Sequence, residues 1–165
     1  MKLSSLYDFS NIPDYLEYAW VCAPNAAAQT LTGNTITTLT LDTEVVDEGG
    51  HGSIASNQVT LAAGTYAYEA SAPAVANTGD VSLVLGLYNV TSSKWVGQGN
   101  SLGSSTRAVA SGQFTIEDTT VFDVRGYGAA TNPPIKIQNA QNSEAYTLST
   151  AGAEFRTNLK LWKLA

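Results

Sequence analysis

The lone histidine, His51, lies in the run Asp47-Glu48-Gly49-Gly50-His51-Gly52, and an imidazole is the side chain best suited to acid–base work near neutral pH. In a hydrolytic reading Asp47 orients His51 as the base for a serine such as Ser53. No Gly-x-Ser-x-Gly elbow or other nucleophile frame accompanies them, so an exposed loop histidine is the expectation and no enzyme is inferred. Asp42, Glu44, Asp47 and Glu48 supply the oxygen ligands that calcium accepts, yet their order follows no EF-hand spacing. A solvated acidic loop is expected, with calcium as the alternative. Glu117, Asp118 and Asp123 would serve glycoside hydrolysis only if two of them faced each other across a sugar, which neighbours at one turn do not readily do. Trp95 follows Lys94 near a Gly/Ser-rich stretch, and Tyr127 lies between Gly126 and Gly128. Both are candidates to stack on a sugar ring or a partner, with core or interface packing as the commoner use of such rings. No phosphate loop, dinucleotide fingerprint or metal-spaced Cys/His set is present, so no cofactor is expected. Asn89-Val90-Thr91 matches an N-glycosylation acceptor, a chance match where no secretory signal is recognised.

Composition says what kind of scaffold must position these groups. Small and β-branched residues dominate, charged residues are 13 % of the chain, and 165 residues suffice for one two-layer core. Long amphipathic helices lack their usual Lys, Glu and Arg, which points to an all-β fold. The net charge is -6, and residues 1–80 hold nine acids against Lys2 alone, so there is no basic stripe for nucleic acid. A single cysteine, Cys22, excludes an intrachain disulfide, and no apolar run reaches membrane-spanning length. Polar residues follow Met1 to Leu6 at once, so assembly in a cytoplasm is expected.

The clearest strand signal is the segment from Gln58 to Pro73. Val59 and Leu61 alternate with Thr60, then Tyr66, Tyr68 and Ala70 alternate with Ala67 and Glu69, with Gly64 as a hinge. Val81 to Val90 is nearly continuously apolar, which predicts a strand covered on both faces, the second cover being another subunit. Further strands are predicted from Ile36 to Leu41, over Arg107–Ile116 with Gly112 at a bulge or close approach, over Thr120–Tyr127, at Ile135–Ile137, and at the C-terminal Ala153–Leu164. Gly97–Ser105 and most of Gly126–Asn142 read as loop. Residues 1–34 differ: Tyr7, Phe9, Tyr15, Tyr18 and Trp20 crowd a stretch without alternation, and one short helix with Tyr15, Leu16 and Ala19 on one face is the expectation there. Such an arm either covers the domain's own edge or docks on another protein.

Several of these segments resemble a known family. Leu39-Thr40-Leu41-Asp42-Thr43-Glu44-Val45, the Val59 to Tyr66 hinge, the stop at Ala70 to Ala74, Leu85-Gly86-Leu87-Tyr88-Asn89-Val90-Thr91 and the closing Leu159-Lys160-Leu161-Trp162-Lys163 are similar to C1q/TNF-like jelly rolls of bacteriophage virion proteins. The likeness covers residues 35–165, with 1–34 as an N-terminal arm. It implies a homotrimer on the virion surface, either a capsid decoration protein whose arm fastens it to the major capsid protein or the receptor-binding head of a fibre meeting host-surface glycan. The docking residues of the arm would be Tyr7, Phe9, Tyr15, Tyr18 and Trp20. Tyr66, Tyr68, Leu85 and Leu87 would lie in the core or at the trimer contact, and Trp95 and Tyr127 would face a ligand. Nothing in the family pattern calls for a membrane or a nucleic acid partner.

Overall fold

Val59, Leu61, Tyr66 and Ala70 are all fully buried, as the two-residue period requires, but the hinge between them carries the chain from one sheet to another. The computed structural model describes residues 12–23, 26–75, 81–103, 105–128, 135–137 and 154–164, and thirteen strands and no helix lie among them. They form two antiparallel sheets packed face to face, an all-β sandwich.

The first sheet is built on β7 (Gly64–Val75). Along one edge β7 pairs over its whole length with β10 (Ser105–Ile116). Its other edge is shared by β13 (Glu154–Leu164) and β12 (Ile135–Ile137). β13 leads on to β1 (Asp14–Cys22) and β4 (Thr43–Asp47), and β12 to β2 (Gln29–Leu31). The second sheet runs β5 (Gly52–Ala55), β6 (Gln58–Leu61), β11 (Thr120–Gly128), β8 (Val81–Asn89) and β9 (Lys94–Gly103), with β3 (Ile36–Thr38) on the far half of β11. Between the layers lie Leu16, Tyr18, Leu61, Tyr66, Tyr68, Leu83, Leu85, Leu87, Phe122, Val124, Leu159 and Leu161. Each large apolar side chain buried there stabilises the fold by about 1.5–3 kcal/mol.

Local chemistry sets the corners. Ser56 and Asn57 both take positive φ, the two-residue turn that matches strand twist, and they join β5 to β6. The Asp47 carboxylate accepts the N–H groups of His51 and Gly52 at 3.0 and 2.8 Å, so the glycine-rich loop is tied down by its own acid.

Four expectations need correction. Residues 14–22 form strand β1, paired with β13 and β4, and the short helix is absent. Register shifts beside Tyr18 and Ala19 break the alternation that would have revealed the strand. Tyr15, Tyr18 and Trp20 therefore belong to the sandwich, and the boundary at residue 34 cuts through the first sheet. Second, the run Ala70 to Ala74 is not a stop, since β7 continues through it, Pro73 included, to Val75. Pro73 sits where the neighbour changes from β13, whose register ends at Ser71, to β12, which begins at Ala74, so its missing N–H costs no ladder bond there. Third, the stretch from Gly97 is strand as far as Gly103. Its glycines serve close approach: a Cβ on Gly99 would lie 1.8 Å from the Val109 carbonyl oxygen, and one on Gly97 would lie 2.2 Å from the Tyr68 hydroxyl. Fourth, the outer side of β8 is covered in part by its own chain, the Trp95 ring lying over Gly86, 2.7 Å from where a Cβ would stand.

Candidate functional site

Each sheet has an outer face, and the two are built differently. On the second sheet the register sets side chains in rows across β9, β8, β11 and β3. Trp95 lies opposite Tyr88 and then Asp123; Gln98 opposite Gly86, Arg125 and Thr38; Asn100 opposite Val84, Tyr127 and Ile36. Arg125 grips Asp123 with both ends of its fork, Nε to Oδ1 at 2.7 Å and Nη2 to Oδ2 at 3.1 Å, and Thr38 Oγ1 donates to Oδ2 at 3.2 Å. The carboxylate is 1 % exposed, tolerable because it is paired and hydrogen-bonded. The guanidinium carbon stands 3.5 Å from the centre of the Tyr88 ring, and Tyr88 meets Trp95 edge-on at 5.2 Å. Trp95, pressed on Gly86 and against Tyr88, still shows 38 % of its surface. Next along β9 is a hollow of about 230 Å³ lined by Val84, Gln98, Gly99 and Asn100. Tyr127 stands across Val84 from Asn100, with its hydroxyl donating to Asn34 Oδ1 at 3.1 Å.

On the first sheet polar groups are spent on one another. Glu17 accepts the Tyr15 hydroxyl at 2.6 Å on Oε2 and Asn158 Nδ2 on Oε1. Tyr15 also packs on Trp162, ring centres 5.6 Å apart. Burial, then the bond to Glu17 and the negative charges of Glu17 and Glu69, hold the Tyr15 hydroxyl well above the ordinary tyrosine range. Asn158 Oδ1 is buried and meets no donor. At the rim, Arg107 Nη1 donates to Ser71 Oγ at 2.8 Å, Val109 is 42 % exposed, and Ser111 and Gln113 are exposed beside it. Among the described residues β10 pairs with β7 alone.

The remaining candidates are scattered. His51 Nε2 meets Asp14 Oδ2 at 2.7 Å and Nδ1 meets Lys163 Nζ at 3.1 Å, so neither ring nitrogen is left for Ser53, and Asp47 serves backbone donors in place of the histidine. Asp42 accepts Val21 N–H, Glu48 accepts Tyr15 N–H and Asp47 the loop N–H groups, so three of the four acids considered for calcium are spent on separate backbone groups. Among the described residues no cluster of three His, Cys, Asp or Glu side chains forms. Asp123 is committed to Arg125, whereas Glu117 and Asp118 are exposed at the turn before β11.

Tyr66, Tyr68, Leu85 and Leu87 lie in the interior between the sheets, which assigns them to the core of one chain and not to a contact with another. Tyr18 is there too, so it cannot dock on a partner. Tyr7 and Phe9 lie outside the described residues. Trp95 and Tyr127 share one outer face, on strands and not on loops. Sequence reasoning missed the Asp123–Arg125 fork, although an acid and a base two residues apart on one strand was a legible signal. It also missed Arg156, fully buried, donating to the Ala27 and Ala26 carbonyls at 3.0 and 2.8 Å and so pinning the segment that leads into β2.

No protein-family model and no curated protein matches the sequence. Solved structures do match the fold. Murine APRIL at pH 8.0 superposes with a TM-score of 0.58 at 12 % identity, over 92 % of this chain and 98 % of that one. The globular domain of zebrafish complement 1qA protein gives 0.52 at 10 % identity, over 93 % and 98 %, and Eiger TNF from S. frugiperda gives 0.55 at 9 % identity, over 93 % and 94 %. The chain therefore has the jelly-roll fold of TNF- and C1q-like domains.

Proposed function

We propose that this chain is a non-enzymatic knob that associates as a homotrimer and decorates a virion, held to the capsid by the residues that precede β1. The observation that carries self-association is the rim of the first sheet. β10 is twelve residues long, has a ladder partner on one edge only, with β9 passing its other side at Gly99 and Val109, and carries Arg107 as its single charge. Proteins normally blunt such edges with charge, proline or bulges, and an edge left unblunted calls for a cover. Val109, Ser111 and Gln113 supply a small, uncharged surface that a second copy can approach without stripping water from ions. The virion setting rests on the sequence resemblance. Three fastening segments on one rigid knob gain avidity when their sites match a lattice, and a ligand that binds only the assembled shell stabilises it by mass action.

Light scattering tests the oligomer. The full chain should show about three times its 17.3 kDa mass, and Gln113→Lys should weaken association about tenfold or more while unfolding stays within about 0.5 kcal/mol of the parent. A monomer at every concentration would sink the reading. Fastening is tested by deleting residues 2–11, which precede β1 and so leave the strand in its sheet. That protein should remain a trimer and no longer join particles; if it still coats them, the fastening assignment is wrong.

A further inference from the structure

We infer that the hollow lined by Val84, Gln98, Gly99 and Asn100 on the outer face of the second sheet, the face that also carries Trp95 and Tyr127, is a binding site for a neutral sugar. Trp95 is held on two sides, beneath by Gly86 and edgewise by Tyr88, so its exposed part is a fixed apolar platform that loses little freedom on binding. Beside it the lining is Val84, the Gly99 backbone and two primary amides, Gln98 and Asn100, which each offer both donors and an acceptor. A ring with an apolar face and a girdle of hydroxyls matches that set. Successive strands lie about 4.8 Å apart, so Asn100 and Tyr127, two strands apart across Val84, are separated by roughly 10 Å, the width of one pyranose with its substituents.

The neighbouring charges fix the sugar as neutral. Among the described residues no charged side chain lines the hollow, and Arg125 on this face is satisfied by Asp123 and lies on Tyr88, so nothing in the lining neutralises an acidic sugar. A peptide strand is a poor occupant, because β8 has both edges paired and the unpaired edge of β9 is met by β10 where Gly99 passes the Val109 carbonyl. The site deepens the receptor-binding alternative for this fold and is built on the second sheet, whereas the proposed trimer rim is β10 of the first, the two meeting where Gly99 passes Val109; glycan binding is therefore read on whatever oligomer the chain forms.

The experiment is a glycan array carrying neutral hexose and N-acetylhexosamine oligosaccharides beside sialylated ones, with the best neutral oligosaccharide then titrated calorimetrically. Neutral glycans should bind, and the Gln98→Ala/Asn100→Ala double variant, altered only at exposed side chains, should lose about tenfold or more in affinity with unfolding unchanged. Trp95→Ala should lose more. Since Trp95 also packs on Gly86, its folding is checked separately and the amide variant carries the decision. Absence of binding to neutral glycans, binding to sialylated glycans alone, or full binding by the amide variant would each overturn the assignment.

Discussion

The outer face of the second sheet pairs its own acid and base, whereas that of the first sheet is bounded by β10, a long strand with a ladder partner on one edge only. On the second sheet the buried Asp123 is held by Arg125 and Thr38, Arg125 is covered by Tyr88, and Tyr88 and Trp95 pack edge to face. Asp123 and Arg125 are spent on one another, and beside them lies a hollow of about 230 Å³. On the first sheet Glu17, Tyr15 and Asn158 are likewise paired, but the rim is a long strand whose second edge has no ladder partner. Two faces of one sandwich thus suit different occupants. A self-satisfied face can hold a small ligand, because nothing else there needs covering. An open edge suits a large partner that adds area along its length.

Both faces stand on one interior, and the largest expected effect tests that dependence. Tyr18, Tyr66 and Tyr68 have hydroxyls pushed above the ordinary value of 10.0, in each case chiefly by burial. The neutral hydroxyl is the form favoured in the fold. Their contribution is therefore whole below about pH 10, where the unfolded tyrosines ionise, and is lost as pH rises above it. Each should remove about 1.4 kcal/mol per pH unit, read from urea unfolding between about pH 8 and about pH 11. A flat profile, with native-state tyrosinate absorbance rising at pH 10, would contradict the buried interior.

Next in size is Gly99→Ala, at the place where β9 of the second sheet passes β10 of the first. The added methyl would meet the Val109 carbonyl, and the backbone there has no room to give on either side, so about 3 kcal/mol of stability should go. Weakened self-association should follow, since β10 must shift. A variant that is stable and still self-associates would separate the open edge from the close approach. Smaller again is Asp123→Ala, which removes the paired acceptor of a partly exposed Arg125 and should cost about 2 kcal/mol by chemical unfolding. It should disturb the aromatic face while leaving the mass of the particle in solution unchanged. A change in oligomeric state would break the independence of the two faces.

Much of the sandwich was legible in the residues. The alternation in Gln58–Leu61, Tyr66–Ala70 and Thr120–Tyr127 put the right side chains inside, because a two-residue period leaves little freedom once one face is dry. Strand β1 was not legible, since two register shifts within nine residues destroy the very period that announces a strand. Strand β9 was hidden for a different reason. Its glycines look like a flexible loop in sequence, and only the proximity of Tyr68 and Val109 shows them to be steric necessities.

The candidate site was legible in its parts and not in its arrangement. Trp95 and Tyr127 stood out as rings in glycine-rich company, but they are 32 positions apart in the chain, and only the pairing of β8 with both β9 and β11 sets them on one face. Composition and period determined an all-β, acidic chain with one core, because these properties follow from local propensity and from which residues can be dried together. The tertiary structure decided which sheet edge stays open, which acid is buried against which base, and where a hollow remains. Those depend on register between strands far apart in sequence, and a shift of one residue in any of them would turn every side chain to the other face.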